Sequence, residues 1–253
     1  MSHPEQLAFF GCVARANGLL VSGARVLEIG AYDVNGSVRQ LFAGAKDYTG
    51  VDLIEGPGVD VVAYGHQLSD PDGSYDLTLS GECFEHDEHW PDTFTTMCRL
   101  TRPGGLVVVT CASTGRPEHG TRRTDQKESP GTQARGLDYY RNLTEQDFRA
   151  LPGFGSWFKE HLFSYNPTSF DLYFVGVKSG PASADAPVGS LPDPAALTCL
   201  KWIMPMSHRM ARVPLRLMLR VLPERWYREV AFRYWRLLVA VARRLGLLVG
   251  RAT

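Results

Sequence analysis

The sequence predicts an α/β chain: a doubly wound, mostly parallel sheet flanked by helices, with an edge hairpin and a C-terminal helical extension. Three observations carry that prediction. Short apolar runs of the kind buried parallel strands need recur at Val26–Ile29, Tyr48–Leu53, Tyr75–Ser80 and Leu106–Thr110. Stretches with helical spacing separate several of them, the alternation that a parallel sheet requires. After residue 200 the pattern becomes Arg-rich and amphipathic, with helical spacing.

Pro4 to Leu20 sets Leu7, Phe10, Val13, Leu19 and Leu20 at roughly helical intervals and reads as a leading helix. The stretch around which the chain is organised follows, Arg25 to Gly36, R-V-L-E-I-G-A-Y-D-V-N-G. Gly30 ends its strand, and a turn containing Asp33, Asn35 and Gly36 leads to an expected helix near Asn35 to Phe42. A strand, a glycine-bearing loop and a helix N-terminus place free backbone N–H groups where ligands of open α/β sheets sit. Glu28 makes that place unsuited to a phosphate and better suited to a cationic or hydroxyl-bearing ligand. The second strand ends in Asp52, Val59 to Ala63 is a third, and Y-D-L-T-L-S and L-V-V-V-T are the fourth and fifth. Between these last two, Trp90 to Leu100 reads as a helix closed by the turn R-P-G-G. Trp157 to Tyr165 and Phe170 to Lys178, joined by N-P-T-S, read as an edge hairpin. Ala112 to Gly136 has no apolar period, and an irregular insert of that length reads as a lid over a site.

The domain division expected is 1–178 for the α/β unit, 179–194 for a linker rich in Pro, Ala, Ser and Gly, and 195–253 for a basic helical extension. Net charge is zero, but from Lys201 onward twelve Lys/Arg face two Glu, a net of +10, so the first 200 residues carry −10. Five cysteines without C-x-x-C spacing argue against a disulfide framework or a zinc knuckle. With no basic and then apolar leader, and no run of about 18 apolar residues, a cytoplasmic protein is expected.

Taken together, V-L-E-I-G, Y-T-G-V-D-L, Y-D-L-T-L-S-G-E-C-F-E-H and L-T-R-P-G-G-L-V-V-V-T, in this order and spacing, resemble the class I S-adenosylmethionine-dependent methyltransferases over about Gly23 to Lys178. The resemblance implies a Rossmann-like sheet and S-adenosylmethionine as cofactor. It also implies that Glu28 with the loop residues Gly30, Ala31 and Tyr32 surrounds the methionine moiety. Asp52, with Leu53 beside it, would meet the ribose hydroxyls. Ser80 and Glu82, at the end of the fourth strand, would complete the cofactor site. Two departures stand out: Tyr32 and Val34 occupy the second and third glycine places of the family's loop, and Tyr64 stands where an acid is common. Adenine contact would then fall to Tyr64 or His66. A dinucleotide enzyme is the weaker reading, since Asp52 lies 22 residues after Gly30 but no G-x-G-x-x-G is present.

Methyl transfer to a hydroxyl needs alignment, exclusion of water and removal of a proton. Glu82, Glu85, His86, Asp87, Glu88 and His89 follow the fourth strand at the sheet's carboxyl end. His86 is the first choice of general base and His119, on the lid, the second. His86 and His89 with flanking acids fit neither H-E-x-x-H nor H-x-x-E-H, so a solvated acidic turn is expected here rather than a metal site, with a divalent ion held by His86 and His89 as the alternative. The expected activity is O-methylation of a small-molecule or glycan hydroxyl. An N-methyltransferase and a non-catalytic binding protein with the same fold are the alternatives.

In the extension, Arg209, Arg212, Arg216 and Arg220 fall on one helical stripe, and a second segment from Trp226 to Val249 repeats the pattern. Docking on the acidic domain or on a second copy of the chain is the first expectation for these helices. Peripheral membrane contact through residues 201–250 is the second. Nucleic acid is not an expected partner, because the apolar faces do not suit a backbone-tracking surface.

Overall fold

In the computed structural model, residues 3–244 are described. Seven strands form one sheet in the order β3-β2-β1-β4-β5-β7-β6. They are β1 (Arg25–Ile29), β2 (Asp47–Asp52), β3 (Val61–Val62), β4 (Tyr75–Gly81), β5 (Thr101–Ala112), β6 (Phe158–Asn166) and β7 (Asp171–Lys178). The first five run parallel, and β7 lies antiparallel between β5 and β6. Its central strands are buried on both faces. Val26, Leu77, Leu79, Leu106 and Val108 face a core built with the leading helix Pro4–Ala16, whose Phe9 stacks on Tyr173 at 4.6 Å. Leu27, Ile29, Val107 and Val109 face the opposite core, built with the helix Trp90–Leu100 and an aromatic group around Phe94 and Phe148. The alternation is the period of two of a pleated strand, read on both faces at once.

Two local expectations are corrected. The helix expected near Asn35 to Phe42 is only a 3-10 segment, Val38–Phe42, capped by the Ser37 hydroxyl, which accepts from the Arg39 N–H at 3.1 Å. Only about ten residues separate Gly36 from β2, which leaves room for little more than a turn there. Among the described residues, no long helix therefore points its N-terminus at the end of β1. The R-P-G-G stretch is not a turn after the helix but part of β5. Tyr75 pairs with Thr101 and Leu77 with Leu106, so the extra residues form a bulge there. Glycine makes this approach feasible, because a Cβ on Gly105 would lie 2.5 Å from the Asp76 carbonyl oxygen.

Residues 113–136 turn back over the carboxyl ends of the strands and carry a short helix, Pro130–Ala134. The stretch from 179 to 194 lies along the α/β unit. Gly189 donates to the Gly104 carbonyl at 2.8 Å, Arg102 donates to the Pro187 carbonyl at 2.7 Å, and Ser190 pairs with Asn17. Leu197 and Leu200 then join the core beside the leading helix.

The helices Val213–Val221 and Glu224–Arg244 dock through Leu215, Tyr227 and Ala231 onto Phe170. Tyr227 donates to the Gly115 carbonyl at 2.6 Å, and Arg123 of the lid pairs with Glu229 at 2.8 Å. No helix among the described residues is long and apolar enough to cross a membrane. The end of the expected basic stretch, 245–250, lies outside the described residues.

Candidate active site

A cleft opens at the carboxyl ends of β1, β2 and β4, enclosing about 830 Å³ when its open mouth is counted. Gly30, Tyr32, Asp52, Leu53, Tyr64, His66, Glu82 and His86 all line it. Gly30 turns the chain with φ +83°, and a Cβ there would meet the Cys83 side chain at 2.6 Å. Only glycine combines that backbone with that approach.

Asp52 is held from two sides. Its carboxylate accepts the Tyr32 N–H at 3.0 Å and the Leu53 N–H at 2.7 Å, while burial pushes its pKa up against those bonds. The lid rests on it: a Cβ on Gly131 would lie 2.6 Å from Asp52 Oδ1, and Arg135 donates to the Leu53 carbonyl at 2.9 Å. At the other end of the cleft Tyr64, His66 and His89 form an aromatic group, the two imidazoles 4.4 Å apart. An acid anchored at the end of β2, rings beyond it and glycine at the closest approaches fit an adenosine-bearing ligand.

Three residues of the expected cofactor set do not line this cleft. Glu28 shares the Val26 face of β1, where its carboxylate accepts the Tyr48 hydroxyl at 2.6 Å. Burial pushes its pKa up to about 7. Ser80 is fully buried and spends its hydroxyl on the Ile29 carbonyl at 2.9 Å, a strut between β4 and β1. Ala31 is buried behind the loop, its N–H bonded to the Val51 carbonyl at 3.1 Å.

Beyond the cleft lies a buried polar cluster. Glu82 takes a left-handed backbone, φ +53°, which costs strain for a residue with a Cβ. Glu85 is fully buried, and its carboxylate oxygens have no hydrogen-bond partner among the described residues. Burial first, and then the charge of Glu82, push its pKa up to about 8. His86, His119 and Tyr140 meet edge to face, with ring centres 5.0–5.4 Å apart. Burial pushes His86 down to about 3 and His119 well below its ordinary value, so both imidazoles are neutral at pH 7.

Alongside, Arg116 donates to Asp171 at 2.8 Å and to the Ser169 carbonyl at 2.9 Å, and His3 lies 3.0 Å from Asp171. Burial would raise the Asp171 carboxyl, but Arg116 and His3 outweigh it and hold the group far below the usual carboxylate range.

His86 and His119, 33 residues apart in sequence, are thus brought together. His3, Arg116, Asp171 and Gly131 are additions that the sequence did not single out as site residues, whereas Tyr140 belongs to the run Tyr139 to Asn142 that the sequence offers as a wall of the acceptor pocket or as packing for the next helix. The one available signal was a charged or ionisable residue beside a turn or cap in T-G-R-P, S-F-D-L and S-H-P-E.

A family profile described as a methyltransferase domain matches residues 5–172. No curated protein matches the sequence. Among solved structures, the 1,6-didemethyltoxoflavin-N1-methyltransferase of Burkholderia thailandensis, with bound 1,6-didemethyltoxoflavin and S-adenosylhomocysteine, is 18% identical. That match covers 69% of this chain and 80% of the other, with a TM-score of 0.48. Phosphoethanolamine N-methyltransferase 2 of Haemonchus contortus, in complex with S-adenosyl-L-methionine, is 16% identical over 68% of this chain and 52% of its own, with a TM-score of 0.49. An S-adenosylmethionine-dependent methyltransferase of Mesorhizobium loti is 20% identical over 61% of this chain and 91% of its own, with a TM-score of 0.43. With the profile spanning most of the α/β unit and its sheet order and cleft in place, the chain belongs to the class I S-adenosylmethionine-dependent methyltransferase family.

Proposed function

We propose that the protein transfers a methyl group to a hydroxyl of a small molecule or glycan. The observation that carries this reading is the cluster of Glu85, His86 and His119 beside the cleft, whose two imidazoles are neutral at physiological pH. S-adenosylmethionine, when bound, supplies an electrophilic methyl whose carbon–sulfur bond breaks with the electron pair kept by sulfur. Asp52 receives the ribose hydroxyls on a carboxylate that Tyr32 and Leu53 have already aimed. Tyr64 and His66 offer faces to the adenine, and Gly30 with Tyr32 gives the methionine end its room. Glu28 acts from behind, through Tyr48 and β1, since its carboxylate is bonded away from the cleft.

The chain's own chemical task is the acceptor proton. His86 is the one member of the trio that lines the cleft, and it takes that proton on an imidazole nitrogen. Burial leaves the lone pair free but makes His86 a weak base by itself, so Glu85 and His119 behind it matter to the step. The lid closes over this place and keeps water from the reacting atoms.

The test is transfer of labelled methyl to panels of hydroxyl-bearing glycosides and matched amines. The expected product is an ether, and His86→Ala should lower kcat by about 10²–10⁴ with cofactor affinity unchanged. Transfer to amines alone at a rate indifferent to His86 would overturn the reading, and absence of any turnover would favour a binding protein.

We also infer that the outer face of the C-terminal helices meets an anionic membrane surface. Trp226, Val230, Leu237 and Val241 form one stripe of the last helix and stay exposed, as do Met206, Met210, Leu217 and Val221 on the helices before it. Tyr227, Ala231 and Phe232 face the domain instead. An apolar stripe flanked by arginines, on helices already docked by their other side, suits an interfacial position.

A further inference from the structure

We propose that Glu85, His86 and His119 form a binding site for a divalent first-row transition metal ion, placed to coordinate the acceptor hydroxyl. The proposal deepens the O-methylation reading and rests on it for its purpose, though not for its ligand set.

Each of the three residues offers one donor atom, and these atoms all lie within 4.8 Å of one another. Ligands around such an ion stand roughly 3–4 Å apart, given metal–ligand bonds of about 2.0–2.2 Å. The side chains therefore need to contract by only about an ångström.

The state of the donors is what a ligand set requires. Glu85 is fully buried with both carboxylate oxygens lacking a hydrogen-bond partner among the described residues, and His86 Nδ1 is in the same condition. Buried polar atoms without partners are uncommon and call for an explanation. His119 is oriented as metal-bound imidazoles are: Nδ1 lies 3.3 Å from the Pro117 carbonyl, which fixes the proton there. That leaves Nε2, with its lone pair, 3.8 Å from Glu85 Oε1. Two imidazole nitrogens and one carboxylate oxygen suit zinc, iron, cobalt or manganese better than magnesium or calcium.

The neighbouring trio, His3, Glu82 and Asp171, also has clustered donors. It is a poorer host, because Arg116 already bonds Asp171 at 2.8 Å and holds a positive charge there. That pairing in turn removes much of the repulsion Arg116 would exert on a cation at Glu85. His89, the other histidine of the E-C-F-E-H-D-E-H run, lies instead beside His66, away from the trio.

The position suits the proposed reaction. His86 lines the cleft, so an ion held by it would lie beside the place the acceptor would occupy. A hydroxyl bound to a divalent ion loses its proton far more readily than a free one. With the ion bound, the lone pair of His86 is spent on the metal, so His86 acts as ligand and the proton of the bound hydroxyl passes to a solvent base rather than to an imidazole.

The experiment uses the full-length protein stripped with chelator. Binding of cobalt(II) would be followed by its visible absorption, and of zinc(II) by calorimetry, without acceptor. One ion per chain is expected, and His119→Ala and Glu85→Gln should each weaken binding at least tenfold. S-adenosylmethionine affinity and melting temperature serve as folding controls, and His89→Ala should bind like the parent. If Glu85→Gln disturbs folding, His119→Gln provides the second reading. No stoichiometric binding, or binding unchanged in the variants, overturns the site. In that event a loss of kcat in His86→Ala still supports the general base. A metal bound by the trio together with a product methylated on nitrogen would keep the site and overturn the hydroxyl reading.

Discussion

Glu28→Gln is the substitution for which the structure gives the sharpest quantitative expectation. Burial is the largest influence on the Glu28 carboxyl and lifts it from 4.5 to about 7, against the opposing Tyr48 hydrogen bond and the charge of Arg39. A carboxyl whose folded-state pKa lies above its unfolded value retains its full contribution to stability below about pH 4.5. It loses that contribution as the pH rises through about 7. A difference of about 2.5 units at ~1.4 kcal/mol per unit makes the loss ~3 kcal/mol by pH 8. Glutamine keeps a carbonyl for the Tyr48 hydroxyl and brings no charge to desolvate, so the variant escapes this loss. Relative to the parent, it should gain roughly 2–3 kcal/mol between pH 5 and pH 8, equivalent to roughly 5–10 °C in Tm. Thermal melts at several pH values in that range, read by circular dichroism, would measure the gain. Parallel Tm curves for the two proteins would refute the reasoning. The variant also separates two roles, because a carboxylate bonded away from the cleft predicts cofactor affinity within about threefold of the parent.

Asp52→Ala should weaken S-adenosylmethionine binding at least tenfold while the fold persists, since two charge-assisted hydrogen bonds at ~1.5–3 kcal/mol each are lost. Unchanged calorimetric affinity would remove Asp52 from the ribose site. Ending the chain after residue 193 should lower Tm by roughly 5 °C or more, because Leu197 and Leu200 leave the core and Phe170 loses its cover. An unchanged Tm would mean that the extension contributes nothing to the α/β unit. Full-length protein should sediment with anionic vesicles at low salt and be released as salt rises, each basic residue near the surface contributing ~1 kcal/mol. Failure to sediment would leave the exposed stripe to another partner.

The strands were legible because a parallel strand buried on both faces writes an unbroken apolar run, as in L-V-V-V-T, and because Asp52 ends one of them at a fixed place. The helix near Asn35 was not. The i, i+4 spacing of Val38 and Phe42 is helical, but spacing could not reveal how little chain remains before β2 begins at Asp47. Within E-C-F-E-H-D-E-H the row of acids and histidines reads as solvated, yet Glu85 and His86 are buried while Glu88 and His89 stay half exposed or more. Nothing in the local pattern separates them, because what buries the first pair is the lid, more than thirty residues further on. The meeting of His3, Arg116 and Asp171 is illegible for the same reason, as three distant segments supply one charge each. For the extension the sequence posed docking and membrane contact as rivals. The structure has the helices docked by one face with another left exposed, so the two readings are compatible.

The position of Gly131 against Asp52 has a kinetic consequence. The short helix that carries it belongs to the lid, yet it forms part of the wall around the nucleoside pocket. On the proposed function, loading that pocket and closing over the acceptor are two uses of one segment, so the expected order is nucleoside first, acceptor second and closure over both. Departure should then run in reverse, with the methylated product leaving before S-adenosylhomocysteine. Excess acceptor would then meet enzyme still holding the spent nucleoside and detain it, so turnover should pass through a maximum as acceptor concentration rises.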